Sequence, residues 1–455
     1  MNRRVKIALV GAGSAQFSLA LLRDIVLSDV LTGSTITLMD IDKDRLDAVG
    51  QLARRYIGEV SADLAIATSE NLEEALDGAE FVINTALAGG HPAYEAERAL
   101  ADRHGYYRGI RVVQMQRNLL LMLQVARTME RICPEAWLIQ ASNPLFEGCT
   151  LVTRETRIKV VGLCHGYRGY RKVATLLGVD PDLVTWQAPG FEHVIYLTEF
   201  CYERSSLYPL LDEWIATQSE QHWARTDLRY GDSDLSRAAI DLYRRVGLLP
   251  LGDTSRAGAA AGGEGRPETW WYHVDLPTKK HWFGHLGGFD SEVGWQLYLD
   301  HLAEGVENIR RAVDDKDTPV TKSLPLVHSS ENHIPLIESL VSGEERTIQV
   351  NLPNNGAIKG LPDNVVVEGK GVVNNGRVQL LGVGALPEPL MCKILLPRWV
   401  QLEQEMSAIL GHDYGALREL VLADHRTRST NQADSFLAAA LEADYNCDVA
   451  SWYGR

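Results

Sequence analysis

The chain has 455 residues, and 45 lysines and arginines against 60 aspartates and glutamates give it a formal charge of −15 near pH 7. Hydrophobic residues make up 45% and charged residues 23%, which are globular proportions and exclude a wholly disordered chain. The acidic balance argues against a nucleic-acid partner, and no apolar run approaches the roughly 20 residues that cross a bilayer. The N-terminal stretch lacks the pattern of a signal peptide, so we expect a cytoplasmic protein.

The first 40 residues predict one β-α-β unit. A largely apolar run over 5–10 is typical of a strand buried on both faces, and a glycine-rich turn separates it from a helical pattern. Further strands are predicted over 34–39, 80–85, 137–141 and 158–163. Strands that alternate with helices predict an α/β fold, a Rossmann-like doubly wound parallel sheet.

The second half of the chain is less regular. Residues 345–376 alternate apolar and polar side chains, which predicts antiparallel strands, and the pattern from 386 onward is mostly helical. We therefore expect a dinucleotide-binding domain over 1–195 and a mixed α/β domain for substrate binding and oligomerisation over 196–455.

Polar residues follow the predicted strands of the first half. Chemistry in such sheets gathers at the carboxyl ends of the strands, where the side chains of neighbouring strands meet. The residues at these ends are Gly11, Gly13, Asp40, Asn84, Asn143, Cys164 and His165.

The turn after the first strand has the pattern GxGxxQ, beginning at Gly11. Gly11 permits a tight turn, and Gly13 lets the backbone approach a pyrophosphate at the helix N-terminus. Asp40 closes the next strand, where a carboxylate suits the ribose hydroxyls of NAD and repels the 2′-phosphate of NADP. The alternative is an ordinary strand-turn-helix in which the aspartate caps a helix.

Two further positions are ambiguous from the residues alone. Cys164 and His165 are both metal-ligand types, and His193 is the obvious additional ligand, but a buried structural pair is equally consistent with the pattern. Asp253 either caps a helix or presents a carboxylate to a cleft, and its spacing favours the cap.

Taken together, the chain resembles glycoside hydrolase family four, the NAD-dependent glycosidases related in fold to lactate and malate dehydrogenases. The resemblance rests on stretches that run in order over nearly the whole sequence: IALVGAGSAQFSLALLRDI, TLMDIDKDRLD, FVINTALAGGH, HGYYRGI, WLIQASNPLFEGCTLVTRET, VVGLCHGYRG, GLLPLGDTSR, DSEVGWQLY, HIPLIESL and NLPNNGAIKGLPDNVVVE. The Cys-His-Gly triplet at 164–166 is similar to the α-glucosidase branch, which acts on unphosphorylated α-glucosides.

The resemblance implies a chemistry that departs from the usual pair of glycosidase carboxylates. In the family, NAD oxidises carbon 3 of the sugar, a base removes the proton on carbon 2, and the leaving group departs from carbon 1. Water then adds and the hydride returns, while a divalent ion, usually manganese, polarises the ketone. Relatives form dimers or tetramers, so a homodimer or homotetramer is expected.

The resemblance also implies roles for individual residues. NAD is expected to be bound by Gly11, Gly13, Ser14 and Asp40, with Asn84 beside them at the end of its strand. The sugar is expected to be contacted by Asn143, Arg256 and Glu192, and the metal to be bound by Cys164 and His193. The expected catalytic residues are Asp253, as the base, and His165.

The chain departs from the family pattern at two places. Glu192 stands where the family has asparagine before the second metal ligand, so it tightens metal binding, rearranges it or replaces a substrate contact. After Ile110 the chain passes almost directly into 111–127, without the acidic loop that carries the family's candidate general acid. Either the loop is shortened or residues are missing from the sequence, and no acid can be named.

These departures leave other functions open. One is a simple NAD-dependent dehydrogenase of a sugar or hydroxy acid. Another is a family member with a drifted substrate, such as a galactoside, a uronide or a sulfonated sugar, or one without catalysis.

Overall fold

A computed structural model describes residues 3–227, 234–255 and 270–455 of the chain. The first part contains the strands β1 (Lys6–Val10), β2 (Thr35–Met39), β3 (Ala65–Ser69), β4 (Phe81–Asn84), β5 (Trp137–Gln140) and β6 (Lys159–Gly162). The helices between and after them are α1 (Ala15–Val26), α2 (Lys43–Val60), α3 (Leu72–Leu76), α4 (Gly90–Arg103), α5 (Val112–Ile132), α6 (Leu145–Glu155) and α7 (Gly169–Leu176).

These six strands form a parallel sheet in the order β3-β2-β1-β4-β5-β6. The central strands β1 and β4 are almost wholly buried, since helices cover both faces of the sheet. The order reverses between β1 and β4, which is the switch point at which such sheets bind ligands. The predicted Rossmann-like α/β fold is confirmed.

The second part adds eight strands and twelve helices among the described residues. The strands are β7 (Val184–Gln187), β8 (Gly190–Phe191), β9 (Val194–Ile195), β10 (Glu199–Tyr202), β11 (Ser205–Ser206), β12 (Arg346–Pro353), β13 (Val366–Asn374) and β14 (Arg377–Leu380). The helices are α8 (Tyr208–Thr217), α9 (Ser219–Trp223), α10 (Arg237–Val246), α11 (Leu276–Phe283), α12 (Glu292–Asp314), α13 (Val320–Ser323), α14 (His333–Ser342), α15 (Glu388–Leu390), α16 (Leu396–Gly411), α17 (Tyr414–Leu422), α18 (Thr430–Leu441) and α19 (Cys447–Trp452).

The main sheet continues from the first part of the chain into the second. β12 lies antiparallel beside β6, β13 beside β12, and β8 beside β13, so the described residues form an 11-stranded mixed sheet. The antiparallel strands predicted over 345–376 and the helical region beyond 386 are confirmed. A separate three-stranded sheet has the order β11-β10-β7.

A buried ion pair ties the start of α5 to α4. Arg117 Nη1 lies 3.1 Å from Glu97 Oε2, and both side chains are buried. Arg117 Nε also donates to the Ala88 carbonyl, which fixes the loop after β4. α4 ends at Arg103 and α5 begins at Val112, so residues 104–111 form the connection between them.

No helix among the described residues is both long and apolar enough to cross a bilayer.

Candidate active site

The turn between β1 and α1 is shaped by two glycines. Gly11 has a φ of 85°, and the Gly13 N–H donates to Asp40 Oδ2 at 2.7 Å. A Cβ on residue 13 would stand 2.7 Å from that same oxygen, so a larger residue would displace the carboxylate. The Asp42 N–H donates to the other carboxylate oxygen at 2.9 Å, and the two bonds hold Asp40 at the end of β2.

The N-terminus of α1 lies beside this turn. Ser14 is the N-cap residue and is exposed, and its side chain makes no capping hydrogen bond. This 12-residue helix therefore begins at an exposed N-cap, and the N-terminus of a helix suits a phosphate group. Ile41, next to Asp40, is 85% exposed and offers an apolar surface at the same edge.

Asn84 ends β4 and is fully buried. Its amide donates to Gln140 Oε1 at 3.0 Å, and its oxygen accepts from the Ala86 N–H at 3.2 Å. These bonds fix the loop after β4, whereas direct contact of Asn84 with a cofactor stays a prediction.

A tight hairpin presents the second half of the candidate metal site. Phe191 pairs with Val194, so Glu192 and His193 are the two turn residues between β8 and β9. His193 has a φ of 59°, a left-handed conformation that costs a non-glycine residue about 1–2 kcal/mol. Such strain persists where the surrounding structure imposes it, most often at functional sites.

The hairpin brings Glu192 and His193 to Cys164, two residues beyond β6. One donor atom from each of the three residues lies within 4.8 Å of the other two. His193 Nε2 is 2.7 Å from Glu192 Oε1. Glu192 is only 3% exposed, and the His193 imidazole is the partner of that oxygen. A buried carboxylate beside a thiol and an imidazole forms a set of donor atoms that fits a divalent cation.

The protonation of this cluster follows from burial and mutual charge. Burial raises the pKa of the Cys164 thiol, and Glu368 raises it further. Burial alone would lower the pKa of His193, but Glu192 and Cys164 together raise it well above its ordinary value. Burial and the nearby Glu192 raise the pKa of Glu368 to about 8. A cation would relieve this concentration of acidic groups.

Asp253 lies on a short 3-10 helix, Gly252–Ser255, next to the cluster. Its Oδ2 is 3.6 Å from His193 Nε2, and its side chain is 26% exposed. Gly252 has a φ of 56°, and a Cβ there would meet the Gly166 Cα at 2.7 Å. That close approach packs the backbone before Asp253 against the Cys-His-Gly turn, while the carboxylate itself is partly exposed beside His193.

Two other predicted residues are exposed beyond the ends of neighbouring strands. Asn143 is exposed beyond the end of β5, and the side chain of His165 is 75% exposed. His165 Nδ1 lies 3.8 Å from Glu331 Oε1, so a carboxylate faces the imidazole from the segment before α14. Arg256, predicted to contact the sugar, lies outside the described residues.

Glu331 and Glu368 are two acidic residues near the site that the sequence analysis did not select. Glu368 is fully buried on β13, where it pairs with Gly190 just before the hairpin. The sequence feature that could have identified Glu368 is its position directly after the apolar run 365–367. Glu331 precedes the HIPLIESL stretch and carried no distinguishing pattern.

The fold and the site together define a Rossmann-like α/β protein with a candidate metal centre beyond the end of β6. The model of the family 4 glycosyl hydrolases matches residues 6–179, and the model of their C-terminal domain matches residues 188–427. The chain belongs to family 4 of the glycosyl hydrolases.

Relatives of known name share about a quarter of the sequence. An α-galactosidase of Bacillus subtilis is 25% identical, with 85% of each chain covered. An α-galacturonidase of the same organism is 25% identical, covering 92% of this chain and 93% of the relative. An α-glucosidase of Erwinia rhapontici is 26% identical, covering 84% and 85%.

Solved structures show the same fold at lower identity. The lplD protein of Bacillus subtilis superposes with a TM-score of 0.81 at 22% identity, covering 96% of this chain and 100% of that one. A 6-phospho-α-glucosidase from gut microorganisms, solved with NAD and Mn²⁺, has a TM-score of 0.75 at 18% identity, covering 97% and 98%.

Proposed function

We propose that this protein is an NAD- and divalent-metal-dependent glycosidase that cleaves unphosphorylated α-glucosides. One observation carries the proposal: Cys164, His193 and Asp253 converge beside the Cys-His-Gly turn in a family 4 chain. A thiol and an imidazole would hold the ion, and the partly exposed carboxylate of Asp253 lies next to the imidazole.

NAD and manganese are the cofactors that we propose. When bound, NAD exchanges a hydride with the sugar and the divalent ion withdraws electrons from a sugar oxygen. Gly11, Gly13 and Ser14 would cradle the pyrophosphate, and Asp40 would accept hydrogen bonds from the adenosine ribose. The bonds that hold Asp40 at the turn support this assignment.

The chain's own groups would then move the protons. Asp253 would take the proton from carbon 2 of the sugar, since its carboxylate is partly solvated and lies close to His193, a proposed metal ligand. The amide of Asn143 would orient the sugar hydroxyls, and His165 would contact the substrate.

The charge of the site favours a neutral sugar. Asp253 lies 3.6 Å from His193, Glu331 lies 3.8 Å from His165, and Glu192 is buried beside His193. A phosphate or carboxylate on the sugar would be repelled by these groups. The Cys-His-Gly triplet supports the same choice, whereas relatives named for galactosides and galacturonides make those sugars the alternatives.

The test is a panel of aryl glycosides assayed with purified protein, NAD, Mn²⁺ and a reductant. The panel contains the α-glucoside, α-galactoside, α-galacturonide, β-glucoside and 6-phospho-α-glucoside. We expect fastest release from the α-glucoside, loss of activity with chelator and recovery with Mn²⁺.

Activity that is indifferent to both NAD and metal would refute the mechanism. Stoichiometric NADH in solution would identify a dehydrogenase instead. Fastest release from another glycoside would refute only the sugar specificity.

A further inference from the structure

Glu192 lies beside Cys164 and His193, the two residues that are proposed to bind the metal. We propose that Glu192 is a ligand of the divalent ion, so that Cys164, Glu192 and His193 form a three-residue protein ligand set. This inference rests on the metal dependence in the proposed function and deepens it for this chain.

The distances fit a shared coordination sphere. Metal–oxygen and metal–nitrogen bonds are about 2.0–2.2 Å long and metal–sulfur bonds about 2.3 Å, so adjacent ligand atoms lie about 3 Å apart. Glu192 Oε1 and His193 Nε2 are separated by 2.7 Å, and the set of three donor atoms lies within 4.8 Å. The hairpin geometry produces this, because both turn residues project from the same end of β8 and β9.

The burial of Glu192 requires a partner. Its side chain is 2% exposed, and its Oε1 lies 2.7 Å from Nε2 of His193, which is itself a proposed metal ligand. A carboxylate removed from water is stable only when paired or bound to a metal. Glu368 is a second, fully buried carboxylate near the cluster, so acidic oxygens are in excess there.

The donor set predicts how the ion is held. A thiolate, an imidazole and a carboxylate offer two negative charges to a divalent cation, one more than a thiolate and an imidazole alone. Three protein ligands also leave positions open for substrate oxygens, as catalytic metal sites do. The ion should therefore bind tightly in the absence of sugar and NAD.

The test measures the metal itself in the full-length protein without sugar or NAD. Free Mn²⁺ is counted by electron paramagnetic resonance for the wild type, Glu192→Gln and Glu331→Gln. We expect Glu192→Gln to raise the Kd at least about tenfold, a typical effect of groups that support a metal. Glu331→Gln removes a neighbouring charge without removing a ligand, so its Kd should stay within about twofold.

Cobalt substitution gives a positive signal that does not depend on loss of binding. In the wild type, Co²⁺ should show one thiolate charge-transfer band from Cys164, which Cys164→Ser abolishes. In Glu192→Cys, a second thiolate should enter the coordination sphere and about double the intensity of that band.

An unchanged band in Glu192→Cys, with an unchanged Mn²⁺ Kd in Glu192→Gln, would overturn the proposal, as would a wild type that binds no metal. If both values are unchanged but the variants still cleave glycosides, Glu192 is not a metal ligand and the proposed function stands. Altered metal binding without any glycoside cleavage would refute the proposed function alone.

Discussion

At the scale of single residues, we propose that Asp40 determines which dinucleotide the turn accepts. Its carboxylate is held by the Gly13 and Asp42 amides, and a hydrogen bond to a charged group contributes about 1.5–3 kcal/mol. We expect Asp40→Ser to raise the Kd for NAD by about 10- to 100-fold and to weaken the discrimination against NADP. Titration calorimetry with both dinucleotides measures this.

Asp44→Asn serves as the control, because Asp44 is an exposed residue in the first turn of α2. Its dinucleotide affinities should equal those of the wild type. An unchanged ratio of NAD to NADP affinity in Asp40→Ser would contradict the assignment.

His273 predicts a pH dependence of stability. Burial, followed by the ammonium of Lys279 at 2.9 Å, lowers the pKa of His273 to about 4. Between pH 6.5 and 4 the unfolded histidine binds a proton that the folded one excludes, so stability falls as the pH falls. The slope is at most about 1.4 kcal/mol per pH unit for this group.

We expect His273→Phe to reduce the slope of the free energy of unfolding between pH 6.5 and 4 by up to that amount, as measured by urea denaturation. The variant keeps the ion pair of Lys279 with Asp290 at 2.6 Å. His281→Gln, at an exposed histidine of α11, should keep the wild-type slope. Equal slopes in all three proteins would show that His273 titrates normally.

At the scale of elements, strongly apolar strands were predictable and weakly patterned ones were not. The buried strands β1, β2 and β4 lie within the predicted ranges, since continuous apolar runs are typical of strands covered on both faces. The edge strand β3 was missed because its residues are partly exposed and no apolar face marks it. The two-residue strands of the hairpin gave no periodic signal at all.

The short connection between α4 and α5 predicts a chemical consequence. After Asp102 the sequence contains no acidic residue until Glu130, and the chain enters α5 at Val112. Without a carboxylic acid from this loop, departure of the leaving group has less help from proton transfer, which is worth about 10²–10⁴-fold. We expect kcat/KM to rise steeply as the pKa of the phenol leaving group falls.

A series of aryl α-glucosides with graded leaving groups measures that dependence. A 2-deuterated substrate serves as the control, because it shows whether the carbon 2 step limits the rate. A flat dependence, with no isotope effect to explain it, would indicate that another residue supplies the proton.

At the scale of the whole molecule, the candidate site lies where two parts of one sheet meet. Gly162 at the end of β6 pairs with Asn351 of β12, and β13 then supports the hairpin that carries His193. Cys164 and Asp40 were predictable because each follows its own strand. The contact of Glu368 with this region was not, since it depends on pairing between strands far apart in the chain.

The predicted boundary between two domains at residue 195 stays a prediction, as does the predicted homodimer or homotetramer.

The central claim is that glycoside cleavage proceeds through loss of the proton on carbon 2. The most direct measurement is nuclear magnetic resonance of the sugar released from an aryl α-glucoside in D₂O, with NAD and Mn²⁺ present. We expect the released sugar to carry solvent deuterium at carbon 2. Complete hydrolysis that leaves carbon 2 without deuterium would contradict loss of the carbon 2 proton.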